Sequence, residues 1–139
     1  IRTVNLLDVQ GGEERVQNAI RLVKEAKGTN KQALSQVFKL SEHLRDLAQS
    51  LAGVSPISSQ RVALEAIAIE LSLVSEFITY TKNLNAFLES LERSIARRST
   101  FHEQEALSSA LRDVNENTQT INRLNGEFLA RIREFDKSL

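Results

Sequence analysis

The 139-residue chain has no cysteine, no methionine and no tryptophan, one proline, five glycines and two histidines. Without cysteine there are no disulfides, thiolate metal sites or cysteine nucleophiles, and the redox compartment stays open. With His43 and His102 alone, neither a multi-histidine metal site nor a His-x-x-x-His pair can be assembled. No apolar run approaches the roughly 20 residues that a bilayer-spanning helix needs. Charge of one sign is also lacking: 18 Lys and Arg stand against 18 Asp and Glu. That balance argues against nucleic acid as a partner, because phosphate-backbone binders carry a net basic footprint. The absence of methionine, even at position 1, leads to the expectation of a processed product or an excised piece, with localisation unassigned.

What remains is helix. Leu64, Ile67, Leu71, Val74, Ile78, Thr81, Leu84, Leu88, Leu91 and Ile95 recur at alternating steps of three and four, with no Gly or Pro between Arg61 and Arg98. A run of that length spans roughly 55 to 60 Å at about 1.5 Å per residue, far beyond the usual globular helix. Gly53, Val54, Ser55, Pro56, Ile57, Ser58 and Ser59 combine a helix-stopping glycine, a helix-starting proline and N-cap serines, and so mark a turn. Arg97, Arg98, Ser99 and Thr100 mark a second, where Thr100 and Glu103 have capping-box spacing. A third apolar stripe follows through Leu107, Leu111, Val114, Thr118, Ile121, Leu124 or Asn125, Phe128, Ile132 and Phe135.

The first region carries Val16, Ile20, Val23, Leu34, Val37, Leu40, Leu44, Leu47 and Leu51, interrupted around Gly28, Thr29 and Asn30. One reading breaks the helix there and gives four helices. The favoured one keeps a single helix bent near Gly28, since an interior glycine costs only about 1 kcal/mol and the apolar phase survives it. The expected fold is therefore all-α: one elongated antiparallel bundle domain over residues 1–139, with long helices at about 12–53, 58–98 and 101–138. Residues 1–53 carry net charge +2 and residues 100–139 net −2, which favours packing of the first helix on the last.

Counting across the two turns places Asn30 opposite Thr81 and Thr81 opposite Thr118. Asn30, Thr81, Asn85, Asn117 and Thr118 then form a polar core layer at the waist, joined by Asn122 and Asn125. Buried Asn and Thr of this kind fix register, as in coiled coils. The alternative is a small-molecule or lipid-like ligand held between the helices.

Catalytic chemistry finds little to work with. Neither histidine has a Glu three residues before it, so the di-iron bundle pattern is missing, and no Ser, His and Asp motif is present. No enzymatic activity, metal or cofactor is expected. Arg93, Arg97 and Arg98, with His102, collect at one end of the bundle. The helix macrodipole calls for cations there, and an anionic membrane surface or acidic peptide is the competing account. The middle helix has a second apolar row, Ile69, Leu73, Phe77, Tyr80, Leu84 and Phe87. Its aromatic members Phe77, Tyr80 and Phe87 are the candidate surface for a partner helix or a second copy. The resulting expectation is a non-catalytic interaction or scaffold module that works by association.

Overall fold

The computed structural model describes residues 13–53, 57–96 and 101–138. Among them the order is three long helices, α1 (Glu13–Ser50), α2 (Ile57–Ala96) and α3 (Phe101–Ser138), with a single 3-10 turn over Leu51–Gly53 after α1. There is no strand among the described residues, and the fold is an all-α helical bundle. α1 runs without interruption through Gly28, so the three-helix reading holds and the four-helix alternative does not. Val54 to Pro56 and Arg97 to Thr100, where the two turn signals and the Thr100 cap were placed, lie outside the described residues.

The interruption costs so little because a lone helical glycine forfeits only propensity. Gly28 and Gly126 both sit inside helices, and a Cβ on either would meet nothing within 4 Å. Replacing either by alanine is expected to add about 0.5–1 kcal/mol to stability, read as an upward shift of the urea midpoint at unchanged slope.

Register is set by side chains that reach across. Asn30 Nδ2 donates to the Thr81 carbonyl at 2.7 Å and Gln60 Nε2 to the Leu51 carbonyl at 3.0 Å, two bonds that obey one antiparallel pairing of α1 with α2. Asn83 Nδ2 donates to Asn117 Oδ1 at 2.8 Å, and Ser59 Oγ to the Ser138 carbonyl at 3.1 Å, which fixes α3 antiparallel on α2. Both pairings agree with the turn-to-turn count made from the sequence.

The middle helix packs on both neighbours, whereas α1 and α3 make no close backbone approach to each other among the described residues. The opposite net charges of the first and last segments therefore do not bring those helices together. Two apolar clusters result. One joins all three helices through Val23, Phe87, Leu88, Leu107 and Val114, with Phe87 and Val114 each only 1% exposed. The other, toward the Gly53 turn, is built from Leu44, Ile67 and Val74 of α1 and α2 alone. In that half α3 is tied to α2 by the Ser59 and Ser138 contact and by Arg131, which lies 3.7 Å from Glu65.

The α2 core keeps Ile67, Val74, Thr81 and Leu88 of the leading apolar stripe and adds residues beside it. Leu64 and Leu71 are exposed, while Ser59, Val62, Ala66 and Phe87 are buried. A helix clasped from two sides buries two contact lines, and the bulk of the stripe does not say where the second line falls. On α3 the choice between Leu124 and Asn125 resolves toward leucine: Leu124 is half-buried and Asn125 faces solvent.

Candidate functional site

The waist is the best-formed polar locus. Asn30, Thr81 and Thr118 are buried in α1, α2 and α3 respectively. Each has its polar group satisfied: Asn30 by the Thr81 carbonyl, Thr81 Oγ1 by the Ile78 carbonyl at 2.8 Å, and Thr118 Oγ1 by the Val114 carbonyl at 2.9 Å. A buried hydroxyl or amide without such a partner would cost about 1–3 kcal/mol, so these bonds are what make the polar interruption tolerable.

The other two members of the expected layer sit at its edge. Asn85 is half-buried and donates to Glu89 Oε1 at 2.9 Å along its own helix. Asn117, also half-buried, accepts from Asn83 and donates to Glu76 Oε1 at 2.5 Å, forming a three-residue bridge between α2 and α3. Asn122 and Asn125 are exposed and do not belong to the layer. Glu76 and Asn83 escaped the sequence reading because neither lies on an apolar stripe; their signal is position, at the α2 level that faces Asn117.

On the side of the waist where α1 meets α2, Lys27, Gly28, Asn30, Lys31, Leu34, Thr81, Lys82 and Asn85 line an open cleft of about 510 Å³. Lys27 Nζ is 2.8 Å from Glu92 Oε2, an ion pair with each side chain about 30% exposed. That hydrogen bond first, then the Lys27 charge and the more distant Lys24, holds the Glu92 carboxyl below the usual carboxylate range. Elsewhere on α2, partial burial pushes the Glu70 carboxyl and the Tyr80 phenol up from their ordinary values.

The two carboxylates give opposite pH signatures. For Glu92, with a depressed folded value, stability is present above the unfolded carboxylate pKa and is lost as pH falls through the folded one. For Glu70, the ionised form is penalised in the fold, so the penalty is absent at low pH and complete once pH has risen past the folded value. Glu92→Gln is expected to lower the Tm at about pH 7 and Glu70→Gln to raise it, and in thermal scans both differences shrink as pH falls through the carboxylate range, that of Glu92 at the lower pH.

The aromatic partner surface does not form as expected. Phe87 is in the three-helix core, and Tyr80 packs against that core as a partly buried neighbour. Phe77 is half-buried, its ring 5.5 Å from that of Tyr80 and tilted by 46°. The reason is the position of α3, which covers this row of α2. Of the arginine cluster, Arg93 turns back on its own helix, its Nε donating to the Glu89 carbonyl at 3.3 Å, as a cation near a helix C-terminus does. Arg97 and Arg98 lie outside the described residues. His43 and His102 are both exposed.

Exposed apolar side chains collect elsewhere. Among the described residues ten large hydrophobic ones are more than a third exposed, and eight of them lie on the Gly53 side of the waist: Phe38, Leu40, Leu47, Ile57, Leu64, Leu71, Leu129 and Ile132. Counting outward from the Asn30 to Thr81 bond sets Leu40 level with Leu71 and Leu47 level with Leu64. The Arg131 to Glu65 contact brings Leu129 and Ile132 to the same height. These residues ring the half of the bundle in which α1 and α3 share no core cluster.

Among the described residues no group of three or more His, Cys, Asp or Glu side chains is placed to hold a metal ion. No described helix is long and apolar enough to cross a membrane. No family model, curated protein or solved structure matches the chain.

Proposed function

We propose that this chain is a non-catalytic helical module whose task is association, and that the surface it uses is the apolar ring near the Gly53 turn, taken up by a second copy of the chain. The observation that carries the reading is area. The accessible surface is 9574 Å² for a mass of 15.6 kDa, whereas a compact monomer of that mass exposes about 7,250 Å². The excess of about 2,300 Å² exceeds the roughly 800 Å² that each partner of a standard-sized dimer contributes. Elongation accounts for part of such an excess in any rod. It does not account for eight large apolar side chains gathered in one half of the molecule. Balanced charge removes the net repulsion that would otherwise hold copies apart.

A two-fold arrangement fits best, because one ring then serves both copies and the assembly closes. Sedimentation velocity across a range of concentrations is expected to show a monomer to dimer equilibrium. Leu47→Glu combined with Leu129→Glu is expected to leave only monomer at unchanged helicity. Both residues are about half exposed, so the substitutions spare the core. A wild-type chain that stays monomeric at every concentration, or a double variant that still dimerises, would overturn the proposal.

A further inference from the structure

The cleft at the waist has a charge pattern that association does not use. Three lysines, Lys27, Lys31 and Lys82, line it, and no Asp or Glu does so among the described residues. Only Lys27 is neutralised, by Glu92 at the rim. Lys31 and Lys82 follow directly after Asn30 and Thr81, so the buried bond between those two residues holds their backbones close. Neither lysine makes an ion pair with another described residue. Two unpaired cations flanking one cleft favour an anion there, and ammonium groups bind oxyanions as point charges without demanding a fixed geometry.

One end of the cleft opens onto apolar surface. Leu34 lines the cleft, and Phe38, one helical turn further along the same face of α1, is 52% exposed. The lysine stems add methylene surface beneath their charged ends. Leu34 and Phe38 thus continue from the basic cleft as an uncovered apolar track. Among the described residues no aromatic side chain lines the cleft itself, so none of them would stack on a nucleobase there.

We infer that this cleft binds a single-chain amphiphile with an oxyanion head, of the alkyl phosphate or fatty acid type, its head between Lys31 and Lys82 and its chain along Leu34 and Phe38. The volume, about 510 Å³, lies within the range of small-molecule sites. The inference shares Phe38 with the apolar ring, whereas Lys31, Lys82 and Leu34 lie outside it.

Isothermal titration calorimetry with dodecyl phosphate below its micellar concentration tests it, with inorganic phosphate and dodecyl maltoside as the head-only and tail-only probes. Dodecyl phosphate is expected to bind, and each control to bind at least about tenfold more weakly. Lys31→Gln with Lys82→Gln is expected to weaken dodecyl phosphate by about tenfold or more at unchanged Tm, because both side chains are exposed and unpaired. Phe38→Ser is expected to weaken it while leaving the inorganic phosphate result alone. The Leu47→Glu, Leu129→Glu variant should bind as the parent does, which separates this site from the ring. Equal binding of dodecyl maltoside, equal binding of inorganic phosphate, or insensitivity to the lysine pair would each overturn the inference, as would no binding at all.

Discussion

Phe87→Ala is expected to cost about 3–5 kcal/mol, the largest loss from any single truncation among the described residues. Phe87 is 1% exposed and sits in the cluster that joins all three helices, against Val23, Leu88, Leu107 and Val114. Two terms add. The ring's transfer free energy is forfeited, and a cavity opens where α1, α2 and α3 are each already committed to other contacts and cannot close in. Val74→Ala, in the smaller cluster shared by α1 and α2 alone, removes less volume at a site with fewer walls. Urea unfolding of the two variants should therefore separate clearly, with the Phe87 midpoint far lower. Equal losses would mean that the three-helix cluster contributes no more than the two-helix one.

The second large effect is on uniqueness more than on stability. Asn30→Ala is expected to cost about 1–2 kcal/mol, because a buried bond to the Thr81 carbonyl disappears. Replacing the three buried side chains, Asn30→Leu with Thr81→Val and Thr118→Val, removes their polar groups together, while the backbone carbonyls they bonded lie inside α2 and α3 and keep their helical amide donors, so resistance to urea should be unchanged or higher. What the triple variant loses is the reason for one register. Its helices present near-equivalent Leu, Val and Ile layers, and slipped pairings compete with the native one. Spin labels at the exposed Lys39 and Ser72, which stand level on α1 and α2, should report one narrow distance in the parent and a broadened or split distribution in the triple variant. A single narrow distance in both would transfer the register-setting role to side-chain packing.

Much of this architecture was written in spacing and punctuation. The expected helices at about 12–53, 58–98 and 101–138 compare with Glu13–Ser50 plus its 3-10 turn, Ile57–Ala96 and Phe101–Ser138. Caps and breakers are local, so a reader of sequence sees them directly. The pairing of Asn30 with Thr81 was legible for a related reason: with short turns, antiparallel register is a matter of counting. What stayed hidden is the angular placement of neighbours around α2. Its apolar arc is wide enough to accept α3 along several lines, and only packing decides that Phe87 goes inside while Leu64 and Leu71 do not. The same ambiguity put Phe87 on a partner surface. The lysine cleft was hidden too, since Lys27, Lys31 and Lys82 belong to two helices and meet only once the register is set.

Because α1 makes its close backbone contacts with α2 and none with α3 among the described residues, and buries only Val23, Asn30 and Leu44 there, the molecule has an easiest way to come apart. The first helix can peel away while the α2 and α3 hairpin persists, giving a sub-global opening in which its amides exchange with solvent ahead of the others. Detachment uncovers Ile67, Val74 and Thr81 on α2, a strip already matched to an α1, and at high concentration the nearest one belongs to another molecule. The bundle thereby carries the ingredients of domain exchange: a released arm, a vacated cradle and a native register that works equally well between chains.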